Sequence, residues 1–245
     1  MAARLSTLDT DRFGVVTARA ESLAPADVAG LLGFCDENGA ELLIARCDAA
    51  DQAAVRALAD AGLVLVEEQI TYRGPLVETA WPAGIREARR EDDAAIEALA
   101  TAGFEDYAGH YHADPRLPRD ACREVYVDWT RRGLAGEAAD VVYVAEHEGE
   151  VTGYGMFAHT SDEEIAYLLA AVVPAPPGRG LYLGFLHAGM AWGLAVGASA
   201  VTGVTTPGSI AAQRNLIRSG LRPASAVSTF HGWRDDAPWS ARARA

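Results

Sequence analysis

The sequence has no lysine, and its 21 basic residues are all arginine, set against 34 acidic residues and a formal net charge of −13. A chain without lysine has no Schiff-base amine, no lysine nucleophile and no P-loop lysine. The acidic balance disfavours broad binding to nucleic acid or to anionic membranes. It remains compatible with a local basic pocket for a phosphorylated ligand.

Cysteine is also scarce, and Cys35, Cys47 and Cys122 are far apart in the sequence. They form no CxxC pair and no Cys/His spacing of the kind that holds zinc. We expect all three to be small buried core residues. No Gly-x-Ser-x-Gly motif occurs, which disfavours an α/β-hydrolase, and the Gly-rich turn near residue 178 lacks the dinucleotide-binding fingerprint.

Long hydrophobic runs are absent as well. No apolar stretch reaches the roughly 18 residues that a transmembrane helix needs. Residues 1–14 lack the apolar centre of a signal peptide, so we expect a cytoplasmic protein that does not bind membranes. The composition is that of a globular protein, because half of the residues are hydrophobic and 22% are charged.

The segment 165–192 predicts a strand, a turn and a helix in that order. Residues 165–173 form a nearly unbroken apolar run, as expected for a strand buried on both faces. Prolines and Gly178 end this strand, and a helix begins near Leu181. The backbone N–H groups of Gly178-Arg179-Gly180 are suited to bind a phosphate, with Arg179 adding a positive charge. A plain strand-to-helix turn is the alternative interpretation.

The order of strand, Gly-rich turn, helix, further strand and NxxA-like helix resembles the acyl-CoA site of the GNAT N-acyltransferase superfamily. In that family the strand backbone binds the pantetheine arm and the turn holds the CoA pyrophosphate. This sequence departs from the usual Gln/Arg-x-x-Gly-x-Gly/Ala turn, because Pro177 and Tyr182 stand at the outer positions and only Gly180 is kept. The resemblance implies acetyl-CoA as co-substrate and no metal. The donor contacts that it implies are Ala171, Val172, Val173, Gly178, Arg179, Gly180, Leu181 and Tyr182.

Residues 1–80 predict a compact α/β unit that includes a strand at Phe13–Ala18 and a long strand over residues 63–73. Its segments 8–19 and 61–76 resemble the N-terminal domain of the dTDP-fucosamine acetyltransferase group of GNAT proteins. In that group a glutamate after a Leu-Val pair is thought to act through water as the general base. Glu67 stands at the matching position, and an ordinary strand-edge carboxylate is the alternative.

The predicted fold class is therefore α/β (α+β), a GNAT fold with a mixed central sheet preceded by a smaller N-terminal α/β domain. We place the N-terminal domain at residues 1–80 and the GNAT domain at residues 83–234. Residues 235–245 are predicted to be a disordered tail.

The segment FEDYAGHYHADPRL, residues 104–117, predicts a loop that contacts the acceptor, because sugar and amine substrates need stacking faces and fixed hydrogen bonds. The part HYHADPRL also resembles a segment of sugar-nucleotide acetyltransferases. A surface loop with structural aromatic residues is equally consistent. His110 and His112 have no third ligand, so we expect no metal here. The candidate substrate contacts are Tyr107, His110, Tyr111, His112 and Asp114.

N-acyl transfer needs a base for the amine, a donor for the tetrahedral oxyanion and help for the departing thiolate. The expected oxyanion donor is a backbone N–H near Val172 or Val173. In the resembled enzymes a helix after the fifth strand begins with Asn and carries a Tyr acid, whereas this sequence has Ser209 and Leu216 there. Leucine cannot donate a proton, and a thiolate can also leave without an acid. The candidate acids are Tyr182, Tyr107, His110 and Ser209.

The sequence thus predicts an N-acyltransferase that moves an acyl group, acetyl first, from CoA to the amine of a small molecule. The catalytic candidates are Glu67, Tyr182 and Ser209, and the acceptor is a nucleotide-linked amino sugar or a specialised-metabolite amine. Two alternatives stay open: a non-CoA donor, namely an aminoacyl-tRNA or a carrier-protein thioester, and a degenerate domain that only binds a ligand. A homodimer is expected by analogy with related proteins.

Overall fold

The computed structural model describes residues 2–105, 107, 109–173 and 180–236. Gly178 and Arg179, predicted to bind phosphate, lie outside the described residues. Of the tail predicted to be disordered, only Asp235 and Asp236 lie among the described residues, where they form part of a turn.

The described residues form ten strands and eight α-helices. The strands are β1 (Ala2–Leu5), β2 (Thr17–Glu21), β3 (Leu42–Asp48), β4 (Val64–Pro75), β5 (Ile85–Glu87), β6 (Val141–His147), β7 (Glu150–Ser161), β8 (Glu164–Val172), β9 (Ala200–Thr205) and β10 (Arg222–Trp233). The helices are α1 (Thr7–Phe13), α2 (Val28–Glu37), α3 (Gln52–Asp60), α4 (Asp93–Gly103), α5 (His110–Ala113), α6 (Arg119–Leu134), α7 (Leu181–Ala195) and α8 (Ile210–Arg218).

These elements belong to two compact units. Unit 1 consists of Met1–Ile70, Ala108–Ala121 and Ser225–Ala245, and unit 2 consists of Thr71–Tyr107 and Cys122–Ala224. This division differs from contiguous domains at 1–80 and 83–234, because β10 pairs with β3 and so brings the last strand into unit 1. The domain assignment itself stays a prediction.

Unit 1 contains a mixed sheet with the strand order β1-β2-β3-β10-β4. β2 and β3 are parallel, whereas β1 pairs with β2, and β10 with β3, in the antiparallel sense. Leu31 of α2 and Leu58 of α3 pack with Leu43 and Phe230 in its buried core. The α3 helix begins after Asp51, whose carboxylate accepts hydrogen bonds from two backbone N–H groups of the first turn.

The predicted strand at Phe13–Ala18 begins too early, because Phe13 ends helix α1 and only Thr17 and Ala18 belong to β2. Ser6 caps α1 by accepting a hydrogen bond from the backbone N–H of Asp9. Gly14 ends the helix in the left-handed conformation at φ 69°, which glycine adopts without strain. The apolar residues after Phe13 therefore mark a helix end and a connection rather than a strand.

In unit 2 the strands follow the order β4-β9-β8-β7-β6-β5 and pair in both the parallel and the antiparallel sense. β8 and β9 are parallel, and β5 to β8 form antiparallel neighbours in succession. One face packs on α4 and α6, where Ile96, Tyr126 and Met156 share a buried cluster. The predicted mixed α/β fold class is confirmed, including the strand before residue 173 and the helix that starts at Leu181.

Helix α7 lies very close to the other face of β7. A Cβ atom placed on Gly189 would lie 2.1 Å from Cε1 of Phe157, and one on Gly155 would lie 3.0 Å from Cβ of Phe185. A side chain at Gly189 would therefore collide with the Phe157 ring, and one at Gly155 would crowd Phe185, so both glycines allow the close approach of helix and strand.

The cysteines and the lengths of the helices test two further predictions from the sequence. All three cysteines are buried, and none forms a disulfide among the described residues, which confirms their predicted place in the interior. Among the residues that the structure describes, no helix is both long and apolar enough to cross a lipid bilayer.

Candidate active site

Unit 2 contains a cavity of about 310 Å³ between the ends of β8 and β9 and the starts of α7 and α8. Its walls bring together residues that are far apart in the sequence. The wall residues that bear on chemistry are Tyr107, Tyr167, Tyr182, Ser209, Asn215 and Leu216. A larger hollow of about 550 Å³, bordered by Arg89, Asp93 and Glu97, contains none of the predicted site residues.

The cavity opens because β8 separates from β9 halfway along its length. The two strands pair in parallel from Glu164/Ala200 to Tyr167/Gly203, and the pairing stops there although β8 continues to Val172. At this point Leu168 is an extra residue relative to β7, since Met156 pairs with Leu169 and Phe157 pairs with Tyr167. Such a β-bulge bends a strand and increases its twist. The bulge therefore coincides with the start of the gap that the cavity occupies.

Several predicted residues meet at this cavity. Tyr182, in the first turn of α7, and Ser209, immediately before α8, both line it, as does Tyr107. Leu216 also lies on the wall, with only 4% of its surface exposed, at the place where the resemblance calls for a tyrosine acid. Ala171 is not among the residues that line the cavity; it is 3% exposed and belongs to the buried cluster of unit 2.

The backbone of β8 distinguishes the two candidate oxyanion donors. The N–H of Val173 donates a hydrogen bond of 2.9 Å to the carbonyl of Thr152, so of the two predicted positions Val173 already uses its N–H within the sheet. Successive N–H groups of a strand point to opposite edges. The N–H of Val172 therefore points away from β7, towards the edge that β9 has left.

Gly180 directly precedes helix α7; it is left-handed at φ 81° and provides no side-chain cap. Only glycine takes this conformation readily, which explains why this position is kept when the rest of the turn differs from the GNAT pattern. The first N–H groups of a helix have no partner within the helix and carry partial positive charge. The start of α7 at Leu181 thus offers donors for an anion.

Tyr167 is a cavity residue that the sequence analysis missed. Its ring stacks on Phe157 with centroids 4.7 Å apart and an interplanar angle of 7°. Its hydroxyl oxygen is buried and has no hydrogen-bond partner among the described residues. Burial raises the pKa of this hydroxyl well above its usual value, and the neighbouring Tyr182 and Tyr154 add to the shift. Tyr167 therefore stays protonated and able to donate.

Glu67 lies on β4 in unit 1 and is buried, with 7% of its surface exposed. Neither carboxylate oxygen has a hydrogen-bond partner in the described part of the chain. Burial raises the pKa of Glu67 to about 7, although the Arg46 guanidinium and the backbone amide of His110 both act to lower it. A carboxyl group near its midpoint at neutral pH can both take up and release a proton.

The candidate substrate residues of segment 104–117 are divided between the units. Tyr107 belongs to unit 2, and residues 110–114 belong to unit 1, where the first four form helix α5 instead of the predicted loop. His110, Tyr111, His112 and Asp114 are each only 5% exposed. They therefore lie in the interior of unit 1. Backbone hydrogen bonds within the short helix α5 satisfy polar groups of its main chain there.

Asp114 and His110 are joined by His231 of β10, which the sequence analysis did not select. Nδ1 of His231 lies 2.8 Å from Oδ2 of Asp114, and its Nε2 lies 3.0 Å from Nδ1 of His110. Trp233 also donates to Oδ2 of Asp114 at 2.8 Å. Burial would raise the pKa of Asp114, but these hydrogen bonds and one from the backbone of Arg116 lower it.

Tyr111 takes part in a second buried group. Its hydroxyl donates to Oδ1 of Asp9 at 2.8 Å and also contacts Arg19, whose Nε lies 2.5 Å from Oδ2 of the same carboxylate. Ser6 adds a hydrogen bond of 2.5 Å to Asp9. This arrangement satisfies the buried charges, so Tyr111 and Asp9 have an evident structural role.

No group of three or more His, Cys, Asp and Glu side chains within the described residues is arranged to hold a metal ion. The imidazole of His110 contacts the imidazole of His231, so His110 has a hydrogen-bond partner that is not a metal.

Comparison with known proteins shows the fold. A GCN5-related N-acetyltransferase from Sphaerobacter thermophilus matches 94% of this chain and 76% of its own, with a TM-score of 0.65 and 14% identity. A GCN5-related N-acetyltransferase from Kribbella flavida matches 88% of this chain and 80% of its own, with a TM-score of 0.57 and 16% identity. The chain therefore has the GNAT fold, which confirms the resemblance at the level of structure.

One relative identified by its sequence matches a smaller part of this chain. The spore coat polysaccharide biosynthesis protein SpsD of Bacillus subtilis (strain 168) is 42% identical over 88 residues. These residues are 36% of this chain and 29% of the length of SpsD. No protein-family profile matches the chain.

Proposed function

We propose that this protein is an N-acyltransferase that moves an acetyl group from acetyl-CoA to the amine of a small molecule. The observation that carries the proposal is the cavity that opens where β8 separates from β9 at the Leu168 bulge. The exposed strand edge offers backbone groups to a pantetheine amide chain, in the way that a strand pairs with a neighbour.

The CoA pyrophosphate would lie at the start of α7. Gly180 and Leu181 supply backbone N–H groups and the positive end of the helix dipole there. Gly178 and Arg179, outside the described residues, would extend this contact, with arginine suited to a bidentate phosphate interaction. The lack of lysine is no obstacle to such a site.

The transfer step needs little from the protein beyond proton handling and charge stabilisation. The amine nitrogen attacks the thioester carbon, and the N–H of Val172 would donate to the oxyanion that develops. Glu67 would take up the amine proton through water, which its pKa of about 7 allows. The C–S bond then breaks, and its electron pair leaves with the sulfur as thiolate.

Tyr167 is our choice for the group that stabilises the thiolate in place of the tyrosine missing at Leu216. Its hydroxyl is buried without a partner, whereas Tyr182 is 36% exposed. Because burial holds the pKa of Tyr167 above its usual value, we expect a donated hydrogen bond and not full proton transfer. Tyr182 and Ser209 stay the alternative donors.

Tyr167→Phe is expected to lower kcat by about 10- to 150-fold, because hydrogen bonds to charged groups are worth roughly 1.5–3 kcal/mol. Removing a buried hydroxyl that has no partner should leave the melting temperature unchanged or higher. Tyr182→Phe should have the smaller effect on kcat. Both values of kcat are measured by free-thiol release. If Tyr182→Phe loses more of its kcat than Tyr167→Phe, Tyr182 is the group that stabilises the thiolate.

The acceptor would be a nucleotide-linked amino sugar. Support comes from the partial likeness to SpsD, a spore coat polysaccharide biosynthesis protein. An amine of a specialised-metabolite pathway is the second candidate, since the fold alone does not select an acceptor.

Isothermal titration of the full chain with acetyl-CoA tests the donor. We expect one site of micromolar affinity, followed by free-thiol release when a nucleotide-linked amino sugar is added. Binding without turnover on any amine would favour the degenerate binding domain. If acetyl-CoA does not bind, the donor assignment is wrong, and aminoacyl-tRNA and carrier-protein thioesters become the donors to assay.

A further inference from the structure

The gap between β8 and β9 has a closed end and an open end. Tyr167 and Gly203 are the last residues that the two strands pair, and they form the closed end. Beyond them β8 continues for five positions to Val172, which marks the open end. At the rise of a strand these positions span about 17 Å. The gap is therefore long enough to hold an extended chain along the free edge of β8.

Helix α7 begins at the open end, because it runs antiparallel to β8. A Cβ atom on Gly193, near the end of α7, would lie 2.8 Å from Cδ1 of Ile165 near the start of β8. At the other end of the helix, Cε2 of Phe185 would lie 3.3 Å from a Cβ atom on Gly153, which pairs with Val172. A ligand whose anionic group lies at the start of α7 therefore enters the gap from its open end.

Apolar side chains surround the closed end. Leu216 of α8 packs on Gly203, where an added Cβ atom would lie 2.8 Å from Cδ2 of the leucine. Leu186, which lines the same cavity and is 1% exposed, lies one turn beyond Tyr182 on α7. Ser209 precedes α8 two turns before Leu216. The polar side chains of Tyr182 and Ser209 thus lie where the two helices begin, nearer the open end.

We propose that the closed end is an apolar pocket for acyl groups longer than acetyl, and that Leu216 sets the length of the chain. The inference rests on the proposed function and names its donor class, which is short straight-chain acyl-CoA thioesters such as propionyl-CoA and butyryl-CoA. With the pyrophosphate at the start of α7, the extended arm carries the acyl group to the closed end. The added methylenes take no part in the bonds that form and break, so the transfer step is unchanged.

The side chain at position 216 determines how much room the acyl group has. Leu216 lines the cavity at 4% exposure, where the resemblance calls for a tyrosine. A leucine is shorter than a tyrosine and has no hydroxyl, so it leaves apolar space at the closed end. Each methylene group that moves from water into such space raises the affinity about fourfold. Two added methylenes therefore correspond to about 15-fold.

Isothermal titration of the full chain with a series of acyl-CoA thioesters tests the pocket without an acceptor. We expect propionyl-CoA to bind about fourfold, and butyryl-CoA about 15-fold, more tightly than acetyl-CoA. A butyryl-CoA affinity equal to or weaker than that of acetyl-CoA overturns the proposal. This series uses the wild-type protein, so it decides the question even where a variant does not fold.

Leu216→Phe tests the role of the residue. A phenyl ring fills the space assigned to the longer chain, so the preference for butyryl-CoA should be lost, while the affinity for acetyl-CoA stays within about twofold of the wild type. Ile217→Phe is the matched control, because Ile217 is the next residue on α8 and is 54% exposed. It should keep the wild-type preference. An unchanged preference in Leu216→Phe overturns the assignment of Leu216.

Gly203→Ala is the second variant if Leu216→Phe does not fold. The added methyl group would contact Cδ2 of Leu216 and push the leucine away from β9, with the same expected loss of the butyryl preference.

The titrations separate this inference from the proposed function. If acetyl-CoA binds and butyryl-CoA binds no more tightly, the pocket is wrong and the acetyl donor stands. If none of the thioesters binds, the CoA donor itself is wrong.

Discussion

Glu67→Gln is expected to make the protein more stable above pH 7 and to remove most of its acyl transfer. The pKa of Glu67 is about 7 in the folded protein against 4.5 for an ordinary glutamate, because burial penalises the charged form. A carboxyl group whose pKa is raised on folding contributes most to the stability of the folded state at pH values below its pKa in the unfolded chain. Its contribution falls as the pH rises from 4.5 through 7, and above that range the buried charge costs about 3 kcal/mol.

Glutamine is the neutral counterpart of the protonated side chain and avoids this cost. We expect urea unfolding of the wild-type protein to show a decrease in stability between pH 5 and pH 8 that Glu67→Gln lacks. Glu68→Gln is the matched control, since Glu68 is the exposed neighbour on the same strand and should leave the pH profile unchanged. Equal pH profiles for Glu67→Gln and the wild type would contradict the burial argument.

The effect of Glu67→Gln on activity should be opposite in sign to its effect on stability. Without a carboxylate to take up the amine proton, kcat is expected to fall about 10²-fold or more, with acetyl-CoA affinity retained. A variant that is more stable yet nearly inactive identifies a residue kept for chemistry. Unchanged turnover would remove Glu67 from the mechanism.

Ala212→Trp is expected to abolish acetyl-CoA binding. Ala212 lies on α8 and lines the cavity of about 310 Å³, so an indole ring there would occupy the space assigned to the donor. We expect the affinity to fall by about 100-fold, or roughly 3 kcal/mol. Isothermal titration measures the loss directly.

Ala195→Trp is the control for this variant. Ala195 is an exposed residue at the end of α7, and the same substitution there should change neither binding nor the melting temperature. If Ala212→Trp binds acetyl-CoA as tightly as the wild type while remaining folded, the donor lies elsewhere and the cavity has another use.

The elements that could be predicted from the sequence are those that local patterns determine. The apolar run of β8 and the spaced leucines of α7 specify a strand and a helix through neighbouring residues alone, and both are present. The Leu168 bulge could not be predicted in the same way, because it is defined by the register against β7. Tyr167 could not be singled out either, because without that register it is one more residue of an apolar strand.

The contact between Asp114 and His231 shows the limit of sequence-based prediction more clearly. Asp114 and His231 are 117 positions apart, and no periodicity relates them. Segment 104–117 was recognisable as a dense group of polar and aromatic residues, but its burial depends on β10 pairing with β3. That pairing joins residues near 45 to residues near 230, and single-sequence patterns carry no information about such contacts.

The extra residue at Leu168 has an evolutionary consequence. A strand of this sheet that kept its pairing with β9 through Thr205 would differ from β8 by a single inserted residue, and it would leave no gap to fill. Insertion or removal of one amino acid is a small genetic step. Loss of this one residue is therefore expected to change the register of β8 against β7 and, with it, the gap beside β9 that an extended ligand would occupy.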